Sequence, residues 1–273
     1  MKRLYDVTPL EYMMKGKTII VTGAASGIGA ATAKLLTERG ASVIAFDRNP
    51  VTEYCDQYIA IDLSNEASIV DAVAQFDGKA DALCNIAGLP PTMPPELVLQ
   101  VNVVGLQLFT EQIIPKLNRG AAIVNAASLA GAAWRQTVEK SKTLLEIRSM
   151  DAVAAFIEAH GVTEDDCYEL SKEAVIVWTM QCWSRWKAQG IRMNAVSPSA
   201  TKTPILQDFL ETVAVRQKAK VAPIAGLPGP GSAENIAPVI AFLCSDDSRW
   251  LNGINIIADG GLAAARIGQQ MGF

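Results

Sequence analysis

The feature that most constrains this chain is a junction near its start. The β-branched run Lys17-Thr18-Ile19-Ile20-Val21 stops at Thr22 and opens onto Gly23-Ala24-Ala25-Ser26-Gly27-Ile28-Gly29. A short apolar run bounded by glycine reads as a buried strand. From Gly27 to Arg39 the pattern turns helical, with Ile28, Ala31, Leu35 and Leu36 on one side and Gly40 closing it. Strand, glycine turn and helix in immediate succession form the first half of a βαβ unit. Such units commit a chain to a parallel sheet covered on both faces.

The rest of the chain keeps the alternation. Ala41–Phe46, Tyr58–Ile61, Ala82–Asn85, Ala121–Asn125, Arg192–Val196 and Ile254–Ala258 read as strands. Ser64–Phe76, Gln100–Leu117, Asp165–Gly190 and Ala233–Ser245 read as helices between them. About seven strands in this order predict an α/β fold, a Rossmann-type doubly wound parallel sheet that binds ligands outside the carboxyl ends of its strands. No linker composition divides the 273 residues, so a single domain over 1–273 is expected. Two segments break the alternation. Residues 134–164 form a long mixed helical stretch, and 201–226 places Ile205, Leu206, Phe209, Leu210 and Val213 at amphipathic spacing. Both follow strand ends on the ligand side and are candidate walls or lids of a site.

Composition removes several function classes. The 24 basic and 28 acidic residues leave a net charge of −4 without a basic block, so nucleic-acid partners are not expected. The five cysteines never fall in a CxxC pair, which argues against zinc and for reduced thiols in a cytoplasmic protein. No metal site is expected, and the single histidine, His160, makes a Ser-His-Asp triad improbable. The start, Met1 to Asp6, lacks a signal-peptide core, and no apolar stretch approaches the roughly 18 residues of a membrane span.

Chemistry must therefore come from other groups. In the glycine loop, Gly23 permits a tight turn, Gly27 lets backbone approach a pyrophosphate and Gly29 lets the helix pack closely, with Ser26 and Ile28 beside them. Eighteen residues after Gly29, Asp47 stands at the end of the second strand, where a carboxylate accepts both ribose hydroxyls of adenosine and repels a 2′-phosphate. That favours NAD over NADP, although the neighbouring Arg48 is able to pair with phosphate. Tyr168-Glu169-Leu170-Ser171-Lys172 places a phenol and an ammonium four apart, on one face of a helix. A phenol titrates near 10, too high for a general base at neutral pH, and a nearby positive charge favours the phenolate.

Taken together, these residues resemble the short-chain dehydrogenase/reductase family, from about Lys17 to Gly261. Thr22 to Gly29 is similar to the family's TGxxxGxG loop, and Asp62-Leu63 to its adenine-contacting acid segment. Asn85-Ile86-Ala87-Gly88 is similar to its NNAG segment, with Ile86 in place of the second Asn. Pro198, Thr201 and Thr203 fall in the stretch that holds the nicotinamide amide, where Ser199 replaces the usual Gly. Asn102, Ser128, Tyr168 and Lys172 match the catalytic tetrad. The resemblance implies an NAD-dependent enzyme in which Tyr168 exchanges the substrate proton and Ser128 hydrogen-bonds the carbonyl oxygen. It further implies that Lys172 lowers the Tyr168 pKa and binds the nicotinamide ribose along with Tyr168, and that Asn102 holds a relay water. Asp259-Gly260-Gly261 resembles the family's closing motif.

Ser128 and Tyr168 lie 40 residues apart, far more than is usual in the family, and the excess is the 134–164 stretch. Thr163-Glu164-Asp165-Asp166 reads as a new N-terminus for the Tyr168 helix. An insertion there resembles the 3α-hydroxysteroid dehydrogenase/carbonyl reductase group and, more closely, the bacterial coniferyl-alcohol dehydrogenases. The expected substrate is accordingly a bulky apolar or aromatic alcohol, with a hydroxysteroid as the alternative. Met93, Trp134, Ile205 and Phe209 are candidate pocket walls. Family members pair through the Asn102 and Tyr168 helices, so a homodimer or homotetramer is expected, with the insertion either reshaping that interface or roofing the pocket. A dinucleotide-sensing regulator without turnover typically lacks the Tyr or the Lys; this chain has both.

Overall fold

The computed structural model describes residues 14–203, 206 and 229–272. In chain order they form β1 (Thr18–Thr22), α1 (Gly27–Glu38), β2 (Ser42–Asp47), β3 (Gln57–Ala60), α2 (Glu66–Gln75) and β4 (Ala80–Asn85). Next come α3 (Pro95–Leu99), a π-helical turn (Gln100–Gly105), α4 (Leu106–Ile113), β5 (Leu117–Ala126), α5 (Val138–Leu145), α6 (Ala152–His160) and α7 (Cys167–Gln181). The remainder is β6 (Arg192–Pro198), β7 (Thr201–Lys202), β8 (Gly231–Ser232), α8 (Ala233–Cys244), β9 (Asn255–Ala258) and α9 (Leu262–Met271).

Seven strands form one sheet in the order β3-β2-β1-β4-β5-β6-β9, all parallel. The order reverses between β1 and β4, so their carboxyl ends flank the crevice where such sheets bind ligands. The strands read as continuous apolar runs because both faces are buried. Ile19 and Val21 pack with Leu36 and Ile240 on one side, while Ile20 packs with Ile69 and Phe109 on the other. Phe46 and Phe109 meet edge to face with ring centroids 5.1 Å apart.

Several elements depart from the sequence expectation. The helix expected from Gln100 begins at Pro95, and the helical run over residues 95–116 is apolar enough, at mean hydropathy 1.4, to pass a membrane-span test by composition. With 72% of that window buried, it is a core helix. The helix expected over Asp165–Gly190 ends at Gln181 and breaks into 3₁₀ turns at Cys182–Ser184 and Lys187–Gln189, before Gly190 turns left-handed at φ 72°. The β7–β8 ribbon and α9 were not anticipated. Ile205, Phe209 and most of the 201–226 segment lie outside the described residues.

Residues 134–164 fold into α5 and α6. Helix α5 packs along α7, and α6 packs against α3. Thr137 Oγ1 donates to Glu173 Oε2 of α7 (2.7 Å), Gln107 Nε2 of α4 donates to Leu145 O (3.3 Å), and the Met150 N–H donates to Glu66 Oε1 of α2 (2.8 Å). Asp166 Oδ1 accepts the Thr163 N–H (2.7 Å) and hydroxyl (3.0 Å), closing the start of the Tyr168 helix as a capping box would.

Candidate active site

The glycine loop is held from three sides. Gly23 has φ 70°, and a Cβ there would lie 2.8 Å from Cα and N of Ala87. A Cβ on Gly29 would lie 1.9 Å from Gly23 O, so only glycine lets α1 start this close to the turn. Thr22 Oγ1 accepts the N–H groups of Ile86 (2.9 Å) and Ala87 (3.1 Å) and donates to Cys84 O (3.4 Å). This hydroxyl ties the loop after β1 to the one after β4. Its strand-like β-branched neighbourhood gave no hint of that role in the sequence. Asp47 takes the Ala25 N–H on Oδ2 (2.9 Å) and the Asn49 N–H on Oδ1 (2.8 Å), with exposed Arg48 beside it. Each carboxylate oxygen keeps a lone pair for a hydroxyl donor. The Ser26 side chain does not cap α1, and the first turn holds no acid, so the positive end of the helix is open to an anion along Gly27, Ile28 and Gly29.

The Asn85 side chain points away from this crevice. Its Nδ2 donates to Thr110 Oγ1 and to Asn125 Oδ1, both at 2.9 Å, and Asn125 Nδ2 donates to Thr179 Oγ1 (3.0 Å). This buried polar chain braces β4, β5 and α7. Asp62 Oδ1 accepts the Ser64 N–H (2.9 Å) and hydroxyl (2.6 Å). Leu63 is buried, and its carbonyl sits where a Cβ on Gly105 would fall, at 1.9 Å. At the end of β6, Pro198 is buried, Thr201 Oγ1 donates to Ser199 O (2.9 Å) and Thr203 Oγ1 donates to Thr201 O (3.2 Å).

The four tetrad positions converge. Tyr168 and Ser128 share a side-chain hydrogen bond, and Ser128 Oγ also accepts the Ala130 N–H (3.1 Å) at the head of the 3₁₀ turn Leu129–Ala133. Lys172 places its ammonium 5.7 Å from the Tyr168 ring centroid and donates to Ala126 O (3.0 Å). Gly88 separates Lys172 from Asn102: a Cβ there would lie 3.2 Å from Asn102 Oδ1 and 3.5 Å from Lys172 Nζ. The Asn102 side chain is spent on protein partners. Oδ1 accepts the Leu89 N–H (2.7 Å), and Nδ2 donates to Leu89 O and Ser171 Oγ, both at 3.1 Å. Any water held by Asn102 therefore falls to its main chain, within the π-helical turn.

Burial dominates the titration of the pair. It pushes the Tyr168 phenol up to about 12, against a lowering by the Ser128 hydrogen bond and with a smaller raising by Glu169. It pushes the Lys172 ammonium down to about 8. In the protein alone, desolvation of the phenol exceeds the lowering by the Ser128 hydrogen bond. Met93 and Trp134 are half-buried against the same core cluster as Tyr168, and the Arg135 guanidinium stacks 4.4 Å from the Trp134 ring centroid. Among the described residues no cluster of metal-ligating side chains occurs.

A crevice at the strand reversal, an uncapped helix start, and half-buried Ser128 and Tyr168 beside buried Lys172 together mark the ligand side of a doubly wound α/β sheet. The family described as short chain dehydrogenase matches residues 17–139, and that described as Enoyl-(Acyl carrier protein) reductase matches 149–263. Coniferyl-alcohol dehydrogenase of Pseudomonas sp. (strain HR199 / DSM 7063) is 39% identical over 93% of this chain and 99% of its own length. The 3-alpha-hydroxysteroid dehydrogenase/carbonyl reductase of Comamonas testosteroni is 31% identical over 90% of this chain and 96% of its own. Among solved structures, the 3-alpha-hydroxysteroid dehydrogenase from Pseudomonas sp. B-0831 complexed with NADH superposes with a TM-score of 0.77 at 28% identity, covering 91% of this chain and 98% of that one. The chain belongs to the short-chain dehydrogenase/reductase family of oxidoreductases.

Proposed function

We propose that this protein transfers hydride between NAD(H) and a bulky apolar or aromatic alcohol/carbonyl pair, of coniferyl-alcohol type. The observation that carries the reading is the Ser128–Tyr168 hydrogen bond with the Lys172 ammonium 5.7 Å from the phenol ring. The residues fit the cofactor. The open start of α1 at Gly27 to Gly29 suits a pyrophosphate, Asp47 an adenosine ribose without a 2′-phosphate, and Thr201 and Thr203 the nicotinamide amide. When bound, NAD(H) accepts or supplies the hydride.

The chain's own residues handle the proton and the oxygen. With its pKa near 12, Tyr168 holds its proton at Oη throughout the neutral range and stands ready as the acid that protonates a substrate oxygen. Ser128 is positioned to donate to that oxygen as charge develops on it. In the oxidative direction Tyr168 must first lose its proton, so oxidation gains from rising pH and from any positive charge brought near the phenol. Lys172 fixes the polarity of this end of the site through Ala126 O and supplies the ammonium for a ribose hydroxyl pair. Met93 and Trp134 are proposed as apolar walls of the pocket. A homodimer or homotetramer is proposed to form through a face other than the Asn102 and Tyr168 helices, because α5 packs along the Tyr168 helix and α6 covers α3, which leads into the Asn102 turn.

The test is initial-rate nicotinamide reduction with coniferyl alcohol and with a 3α-hydroxysteroid, each with NAD and NADP. Turnover of coniferyl alcohol with NAD is the expected result; preference for the steroid would transfer the substrate assignment to that group. Tyr168→Phe should abolish turnover and retain NAD binding. Unchanged activity in that variant would overturn the mechanism.

A further inference from the structure

Ser171 lies between Tyr168 and Lys172 in sequence, is fully buried, and faces neither the phenol nor the ammonium. Its hydroxyl donates to Tyr168 O (2.7 Å) and accepts Asn102 Nδ2 (3.1 Å). The directions are fixed by chemistry, because an amide nitrogen only donates and a carbonyl only accepts. They also fix the Asn102 amide, whose second N–H goes to Leu89 O and whose oxygen takes the Leu89 N–H. The amide therefore clamps both ends of the Leu89 residue, directly after Gly88, the backbone wall between Asn102 and the Lys172 ammonium. Asn102 sits in a π-helical turn, Gln100–Gly105, where the regular helical ladder is interrupted and a side-chain anchor must set the local geometry.

We infer that Ser171 is a positioning residue: through Asn102 it holds the Leu89–Gly88 wall that shapes the surroundings of Lys172. The inference rests on the proposed use of Tyr168 and Lys172 in catalysis, but the coupling itself has a readout free of turnover. Removing the hydroxyl leaves a buried Asn102 N–H unpaired and frees the amide to rotate, so the Leu89 N–H loses its acceptor part of the time.

The experiment combines hydrogen exchange with a double-mutant cycle. Ser171→Ala is expected to speed exchange of the Leu89 amide about tenfold, with the β4 amides unchanged. It is expected to lower kcat about tenfold and leave KM for NAD within threefold. In an Asn102→Ala background, Ser171→Ala should change kcat less than twofold. Equal losses in both backgrounds, or an unchanged Leu89 amide, would overturn the proposal. Ser171→Thr and Ser171→Val guard against a folding failure, since they are nearly isosteric and differ in the hydroxyl. Thr should exceed Val in kcat by at least fivefold; equal rates would show a packing role alone. Faster Leu89 exchange in a protein that oxidises no alcohol would uphold the coupling and refute the catalytic reading.

Discussion

Gly131 offers a sharp test of how the site is held together. It lies in the 3₁₀ turn that follows Ser128, pressed against the Tyr168 helix. A Cβ built on it would fall 2.8 Å from the Lys172 carbonyl carbon and 2.9 Å from both Lys172 O and Glu173 N. All three are backbone atoms, so no side chain can swing aside. Ordinary contact begins at 3.4 Å, so in Gly131→Ala the turn and the helix must part by about half an ångström. Overpacking of this kind costs about 1–3 kcal/mol. For a chain of this size that corresponds to a fall in Tm of about 2–12 °C. Catalysis should suffer more, because the displaced turn carries Ser128 away from the Tyr168 phenol, and a misplacement of about 1 Å costs about 100-fold in rate. We expect kcat/KM to fall at least tenfold in a variant that still melts cooperatively. Gly229→Ala is the control, having nothing among the described residues within 4 Å of its Cβ, and should match the parent in both measurements. A lowered Tm with parental kcat/KM would refute the argument that this contact sets the Ser128–Tyr168 geometry.

Two further outcomes follow from buried cations. Lys172, held down to about 8 by burial against an ordinary 10.5, costs the folded state stability below pH 8, and that loss is recovered as pH rises toward 10.5 and the native ammonium sheds its proton first. Lys172→Met should therefore be inactive yet more stable than the parent at pH 7, by up to about 3 kcal/mol, with the gap closing by pH 10.5. Denaturant melts at the two pH values check it, and a pH-independent difference would contradict it. Arg192 donates to four carbonyls, Ser248 and Leu251 through Nη1 and Leu243 and Ser245 through Nη2, at 3.1–3.3 Å. Arg192→Met should lower stability by about 3 kcal/mol and raise hydrogen exchange over residues 243–251, while leaving exchange in α1 as it was.

The sheet was legible because buried parallel strands are continuous β-branched or small apolar runs, and β1, β2 and β6 begin or end within two residues of where those runs do. Helix ends were less so. Nothing in Gln100–Gly105 separates a π turn from an α-helix, and the close approach of Gly105 to the Leu63 carbonyl comes from a loop distant in sequence. The β7–β8 ribbon joins residues about thirty positions apart and carries no local signal. Helix α9 does carry one, the run Leu262-Ala-Ala-Ala-Arg266, but it lies beyond the Asp259-Gly260-Gly261 motif at which the resemblance stops. In the site, motif spacing found the tetrad residues that the fold draws together. It could not tell which face of the sheet Asn85 served, nor that Asn102 spends its amide on Leu89 and Ser171, because those outcomes depend on partners remote in sequence.

The insertion helices bear on dilution. A catalytic helix supported by a neighbouring subunit loses that support as protein concentration falls below the dissociation constant. Here part of the support is α5, tethered to the same polypeptide and packed along α7, with Thr137 bonded to Glu173 one residue past Lys172. A tethered brace acts at an effective concentration that dilution does not change. Specific activity should therefore hold constant into the low nanomolar range, whether or not the proposed dimer or tetramer comes apart there.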